Sequence, residues 1–333
     1  MSRKVCTHTY DDIISIENLL GAWQEFLKGK RNRKDVQEFQ LRLMDHIIDL
    51  HRDLANRTYI HSSYEAFSIS DPKPRSIHKA TVRDRLLHHA LYRLLYPFFD
   101  EVFIADSFSC RKNKGTHRAL KRFKNFSNKI SQNNTKTAWV LKSDVRKFFA
   151  TIDHQILMRI LEKYIEDKEI IALMARIVGS FDSGVEGMGL PLGNLTSQLL
   201  VNVYMNECDH FVKHALRVDF YIRYADDFVV FNRSRSELIK TSQLIERFLQ
   251  TELQLELHDH KTSIATLSSG IDFLGWVNFP TYRVLRTVTK RRMFKRVTAT
   301  EGRTETVQSY IGLLGHGDGY ELQKKIGLQN YDV

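Results

Sequence analysis

Cysteine is scarce in this sequence, and the three present, Cys6, Cys110 and Cys208, stand far apart. They make neither a CxxC metal pair nor a disulfide framework, so they read as reduced thiols in a cytoplasmic protein of bacterial, archaeal or phage origin. Proline is sparse as well, five in 333 residues, and no Pro-rich linker, low-complexity block or internal repeat divides the chain. Long apolar runs are missing. Nothing approaches the ~18 residues of a membrane span, and the opening MSRKVCTHTYDD has no signal-peptide core, so no membrane partner is expected.

What is present is an ordinary globular composition, 42% hydrophobic and 27% charged, with enough chain for two or three subdomains. The charge balance is more telling. Fifty Lys and Arg against 39 Asp and Glu leave a formal charge of +11, which favours a polyanionic partner, although basic proteins that bind no nucleic acid are common.

Helical periodicity runs through 12–55 (Ile13, Ile16, Leu19, Leu20, Trp23, Phe26, then Phe39, Leu43, Ile47, Leu50), broken into two helices by KGKRNRKD at 28–35. Residues 56–80 read as extended and end in DPKPRSI, whose prolines forbid a helix interior. A helix is predicted over 81–99, then a polar stretch at 124–137 and a strand, AWVLKSDV, at 138–145. Asp153 is a natural N-cap for a helix over 153–165. A long helical segment, 195–216, follows GMGLPLGN, and DFYIRYADDFVVFN reads as a hairpin with an acidic tip. A helix over 235–253, a strand over 254–258 and a second hairpin through IDFLGWVNF complete the pattern, which argues α+β.

The strongest chemical signal is the adjacent pair Asp226 and Asp227 between two strand-forming runs. Neighbouring carboxylates at a hairpin tip repel unless a cation neutralises them. Asp144 ends the apolar strand Trp139-Val140-Leu141, and pairing of that strand with the hairpin would bring it beside them. Three converging carboxylates suit hard divalent ions that also bind phosphates, and two such ions are what in-line phosphoryl transfer requires. Two acids alone would more simply cap a solvated turn.

The flanking sequence argues otherwise. YADD (224–227) between β runs resembles the YxDD box of reverse transcriptases, and DVRKFF (144–149) resembles their first acidic motif. GLPLGNLTSQ (189–198), LELHDHKTSI (255–264) and FLGW (273–276) are similar to the motifs around and after that box, and KPRSI (73–77) and SFSCRKNKGTHRAL (107–120) to two finger motifs. Order and spacing agree from about residue 60 to 280. Within the family the chain looks most like the reverse transcriptases of diversity-generating retroelements. Leu192 and Gly193 stand where most members have QG, Ser197-Gln198 stands for a serine-proline pair, and GTH occupies 115–117.

The resemblance implies a right-hand polymerase, α+β with a mixed or antiparallel palm sheet. Its parts would be an N-terminal helical extension over 1–60, fingers over 61–138, a palm over 139–275 with part of 160–195 interleaved with the fingers, and a short helical thumb over 276–333. Asp144, Asp226 and Asp227 would be catalytic and hold two Mg²⁺ ions, or Mn²⁺ in their place, with the Val145 carbonyl as a further ligand. Lys261 would lie near the leaving pyrophosphate and could act as a general acid, the plainer reading being a solvated lysine. Phe149 falls at the steric gate that rejects a 2′-hydroxyl. Phe148 reads as core, since neighbours on a strand face opposite ways. Lys73 and Arg75 match the residues that grip the triphosphate, where a guanidinium binds phosphate bidentately; either could instead be a solvated charge beside Pro72 and Pro74. Leu192, Gly193 and Gln198 complete the nucleotide-binding set. Leucine cannot make the hydrogen bonds of the glutamine found elsewhere, which implies loosened discrimination and errors opposite template adenine. Gly193 permits close backbone approach. Phe273, Leu274 and Gly275 resemble the primer grip, a plain hairpin glycine being the alternative for Gly275.

Three features lie outside this scheme. His258 and His260 flank Asp259 without further metal ligands, GHGDG (315–319) reads as a turn, and TKRRMFKR (289–296) reads as a basic helix that would track a duplex backbone. The implied partners are a template RNA, the cDNA/RNA duplex, deoxynucleoside triphosphates and a basic accessory protein oligomer. The expected role is mutagenic retrohoming. The 276–333 stretch leaves no room in this chain for a nuclease domain or a longer maturase thumb. The rivals are an antiphage defence or group II intron-like reverse transcriptase, and a basic RNA-binding protein with a vestigial site.

Overall fold

Backbone hydrogen bonding divides this chain into thirteen helices and nine short strands among the described residues, which in the computed structural model are 4–70 and 74–328. The first elements are helices α1 (Tyr10–Ile14), α2 (Ile16–Phe26), α3 (Lys34–Leu41) and α4 (Leu43–Ala55), then strands β1 (Glu65–Ile69) and β2 (Arg75–Lys79). Next come α5 (Val82–Val102), α6 (Thr116–Ile130), β3 (Trp139–Asp144), α7 (His154–Glu162), α8 (Lys168–Gly179) and α9 (Leu195–His210). The chain continues with β4 (Tyr221–Tyr224), β5 (Asp227–Asn232), α10 (Arg235–Leu253), β6 (Ser263–Thr266), β7 (Ile271–Phe273), β8 (Trp276–Asn278) and β9 (Arg283–Leu285). Helices α11 (Thr287–Ala299), α12 (Thr304–Leu314) and α13 (Tyr320–Leu328) close it.

These elements gather into two units, each built from separated stretches. The first comprises 1–105, 145–211 and 246–256, the second 106–144, 212–245 and 257–333. In the first, α2 packs on α5 and α5 on α9. Asn18, buried at that contact, satisfies its amide by donating to the carbonyls of Ile13 and Ala90. The Asp153 cap of α7 forms, its Oδ1 accepting from the Ile156 amide at 2.8 Å.

The second unit carries an antiparallel sheet in the order β4-β5-β3-β6 and a smaller one in the order β7-β8-β9. Helix α6 supplies Leu120, Phe123 and Phe126 to a core shared with Val140, Ile222, Val229 and Phe231. Each fully buried side chain of that size is worth roughly 1.5–3 kcal/mol. The stretch at 124–137 is thus half helical, because Phe123, Phe126 and Ile130 recur at helix spacing among its polar residues.

The remaining expectations differ in instructive ways. The strand expected over 254–258 is absent. Gln254 turns into the left-handed region (φ +50°) and the Leu255 amide bonds back to Leu249, so the apolar alternation there closes off α10 instead. The strand of that region is β6, at Ser263–Thr266, beginning five residues after the expected end at 258. Helix α9 stops at His210 and the segment to Ala215 is a wide π-type turn. Phe148 and Phe149 lie on a 3₁₀ turn behind left-handed Lys147, not on a strand. Phe148 is buried and Phe149 half-buried for that reason, and strand alternation plays no part.

Candidate active site

Antiparallel register puts Asp144, the last residue of β3, directly opposite Asp227, the first of β5, and pairs Asp227 in turn with Tyr224 of β4. Period-two alternation continues Val140 and Lys142 onto the face that Asp144 shares. Asp226 sits in the turn between β4 and β5, where Ala225 adopts φ +57°, a left-handed conformation that costs a non-glycine residue about 1 kcal/mol or more.

A buried guanidinium holds that turn. Arg223 is 0% exposed; its Nη1 donates to the Ala225 carbonyl at 3.0 Å and its Nη2 to Ser107 Oγ at 3.1 Å. Its backbone is clamped as well, by bonds to the Asp106 carbonyl and from the Phe108 amide, both 3.0 Å. The Thr116 hydroxyl donates to the Tyr224 phenol at 3.1 Å. Sequence reading passed over Arg223 and took Ser107 and Thr116 only as members of the 107–120 motif. The signal for Arg223 was available: a charged residue in a strand whose two faces are both apolar must be buried and bonded.

The electrostatics are tense. Asp227 Oδ1 is buried with no hydrogen-bond partner among the described residues, and Lys142 Nζ approaches it only to 3.9 Å. Burial, then the charges of Asp144 and Asp226, push the Asp227 carboxyl up to about 6, with Lys142 opposing them. Lys261 Nζ donates to Asp144 Oδ1 at 2.5 Å, putting an ammonium where a cation neutralises that carboxylate. Lys261 lies on a 3₁₀ turn with His258 and His260, whose rings are 6.2 Å apart. Among the described residues no three His, Cys, Asp or Glu side chains close on one point to hold a metal ion. The donor set still fits a hard divalent ion: it is all carboxylate, mutually repelling, and has one orphaned oxygen.

In the same unit, Phe273 is fully buried, and Leu274 and Gly275 form the two-residue turn from β7 to β8 at φ +53° and +85°. Two positive values mark a primed turn that suits the strand twist. A Cβ on Gly275 would meet nothing within 4 Å, so its backbone angle, not crowding, calls for glycine there.

The other expected residues that the structure describes belong to the first unit. Lys73 lies outside the described residues. Arg75 opens β2, exposed, opposite Ile69 of β1. The loop bearing Leu192 and Gly193 is pinned to that strand. The His78 amide donates to the Leu192 carbonyl at 3.0 Å, and Asn194 Nδ2 to the His78 carbonyl at 2.9 Å. At Gly193 (φ +108°) a Cβ would fall 2.8 Å from Ile77 Cγ2, so glycine is required for both angle and space. The Phe149 carbonyl accepts from the Leu190 amide at 2.8 Å, tying the half-buried ring's backbone to the start of the same loop. Gln198, half-buried in the first turn of α9, lines a cleft of about 390 Å³ with Gly193, Ile77 and Lys79. Val145, whose side chain is buried, follows Asp144 but falls in this unit.

Comparison with known proteins adds three findings. Residues 70–277 match the family model described as reverse transcriptase (RNA-dependent DNA polymerase). Among curated relatives, protein YkfC of Escherichia coli (strain K12) is 25% identical over 243 residues, 62% of this chain and 63% of that protein. The group II intron-encoded protein LtrA of Lactococcus lactis subsp. cremoris is 23% identical over 327 residues, 78% of this chain and 52% of that protein. The chain thus spans less than two thirds of the length of each. Among solved structures, apo telomerase from Candida tropicalis, truncated from its C-terminal domain, superposes with a TM-score of 0.50 at 13% identity, covering 67% of this chain and 55% of that one. At that identity the likeness speaks for fold alone.

Proposed function

This chain belongs to the reverse transcriptase (RNA-dependent DNA polymerase) family, and on that premise we propose that it copies an RNA template into DNA at Asp144, Asp226 and Asp227. The observation that carries the reading is the register of Asp144 opposite Asp227 with a buried, unsatisfied carboxylate oxygen. A divalent cation between the two carboxylates would satisfy that oxygen and relieve the repulsion that raises the Asp227 pKa.

In the reaction proposed, the primer 3′-oxygen forms a bond to the α-phosphorus of a deoxynucleoside triphosphate as the bond to the β-phosphate oxygen breaks. Pyrophosphate leaves and the hydroxyl proton passes to solvent. Two bound Mg²⁺ ions, or Mn²⁺, would supply the charge neutralisation and the acidified hydroxyl that this displacement needs. Asp144 and Asp227 would hold them from opposed strands and Asp226 from the turn, with the Val145 carbonyl a further candidate ligand. Arg223 orients the turn through the Ala225 carbonyl. Lys261, whose Nζ lies against Asp144, would supply an acid for the leaving group. Arg75, and Lys73 by position in the motif, grip the triphosphate. Phe149 excludes the 2′-hydroxyl, and Gly193 and Gln198 shape the nucleotide face. Phe273, Leu274 and Gly275 guide the primer.

The finer reading is an error-prone enzyme of a diversity-generating retroelement, acting with a structured template RNA and a basic accessory oligomer. It is supported by Leu192, a half-buried apolar side chain on a loop pinned by backbone bonds, which offers no polar readout. A group II intron-type enzyme is the second reading, favoured by the similarity to LtrA over 78% of this chain. The test is Mg²⁺-dependent incorporation on a primed RNA template with sequencing of products, beside Asp226→Ala/Asp227→Ala. Adenine-directed errors abolished in the control uphold the retroelement reading; accurate cDNA moves the protein to the intron reading. No incorporation with cognate RNA and accessory protein supplied overturns the polymerase reading.

A further inference from the structure

The second unit contains a cleft of about 300 Å³ that the polymerase reading does not use, lined by Lys124 of α6, the tip of the β8–β9 hairpin and the 315–318 turn. Its size lies at the lower end of small-ligand sites. Three observations mark it. Phe279 and Tyr282 stack at the hairpin tip, centroids 4.8 Å apart and planes within 19°, with Tyr282 49% exposed. Arg283, half-buried, makes no ion pair or side-chain hydrogen bond among the described residues, its charge acting only on the neighbouring His117, and burial pulls its pKa below the ordinary value. Lys124, exposed, likewise has no ion-pair partner among them.

The wall is built rather than accidental. Gly317 presses its backbone onto the Trp276 ring so tightly that a Cβ would lie 2.2 Å from Cζ3. The Asp318 amide donates to the Arg283 carbonyl at 2.8 Å, fastening the turn to the hairpin. This explains the central glycine of GHGDG, Gly317, which a free turn would not need. His316 stacks on His117 at 3.7 Å, joining the turn to the start of α6. Asp318 also lines the cleft, yet forms no ion pair with Arg283.

An unpaired half-buried guanidinium next to an open aromatic pair is a combination that recognises a phosphate and a base together. A duplex offers phosphates but no free base face, so the aromatic pair selects single strand. We propose that this cleft is a second nucleic-acid contact that takes one unpaired nucleotide, the base stacked on the Phe279–Tyr282 pair and the phosphate held by Arg283 and Lys124. The inference goes beyond the polymerase reading, and its test involves no nucleotide addition, so each can fail alone.

The experiment is equilibrium binding of a labelled single-stranded RNA, the same sequence as single-stranded DNA, and a blunt duplex, by fluorescence anisotropy over a salt series. Tyr282→Ala should weaken single-strand binding about tenfold and leave the duplex unchanged, and Tyr282→Trp should restore it. Arg283→Gln should make the log–log salt slope shallower by about 0.7, one phosphate contact fewer. Tyr282 is exposed, so its replacement tests the platform without disturbing the core. A loss on RNA, DNA or both upholds the site and identifies the strand. Unchanged single-strand binding overturns it, leaving an acidic peptide or another ligand for the cleft; so does an equal loss on the duplex.

Discussion

At Asp227 the folded protein holds a carboxyl that keeps its proton to about pH 6, against an ordinary value of 3.8. Ionisation therefore works against the fold. The stability is present in full below pH 4 and falls as pH rises from about 4 to about 6. In chelator-free buffer without divalent ions, Asp227→Asn should flatten that fall and stabilise the protein at pH 7 by of order 2 kcal/mol, read from urea midpoints at pH 4 to 7. Mg²⁺ should relieve the same repulsion, raising the Tm of the natural protein and not that of Asp144→Ala. Lys261 presents the complementary case, since its ammonium competes for Asp144. Lys261→Met should slow incorporation by about 10²-fold if the amine acts as an acid, while lowering the Mg²⁺ concentration at half-maximal rate. A slower rate with an unchanged Mg²⁺ requirement would remove the competition from this account. Leu192→Gln should alter the error spectrum opposite adenine in a fidelity assay, and an unchanged spectrum would sever the apolar side chain from error-proneness.

Among elements, the β4–β5 hairpin and the β7–β8–β9 sheet are stabilised in different ways. Arg223 bonds the first through groups that become unsatisfied when it goes. Arg223→Leu should destabilise by at least about 3 kcal/mol, measured by denaturant unfolding, and raise the Mg²⁺ requirement as the turn loosens. In the second, glycines are needed for opposite reasons. Gly275→Ala meets open space and bears only the strain of φ +85°, about 1–2 kcal/mol. Gly317→Ala drives a methyl into Trp276 and the Arg283 carbonyl, and should cost more, with the indole fluorescence shifted. Such elements were legible to different degrees. Helices α5, α7 and α10 and the YADD hairpin announced themselves by periodicity, an Asp153 cap and an acidic tip. Strand β6 did not, since SIAT is too short to alternate visibly, and the apolar run before it went to closing α10. The 3₁₀ turn at Phe148 was hidden because left-handed Lys147 has no sequence signal.

For the molecule as a whole, the charge of +11 is the property that acts at long range. Affinity for a primed RNA template should fall linearly in log–log form with salt, with a slope of several phosphate contacts. A flat salt dependence would argue that the basic surface does not meet the backbone. No helix among the described residues is long and apolar enough to cross a membrane. Both units are assembled from separated stretches of chain, the break in one case falling between Asp144 and Val145, so composition shifts along the sequence could not have outlined them.

The family, the α+β class and the carboxylate motif were determined by the sequence alone, because order and spacing of short motifs survive in one dimension. Tertiary structure alone decided how those carboxylates stand. Register across β3 and β5 makes Asp144 and Asp227 opposite neighbours, and burial leaves one Asp227 oxygen without a hydrogen-bond partner among the described residues. It also decided that Arg223 holds the turn, that Lys261 reaches Asp144 and that Gly317 lies on Trp276. Apart from the Arg223–Ala225 bond, which spans two residues, these are contacts between residues distant in sequence, and the energy of every one depends on desolvation and distance, which a string of residues does not contain.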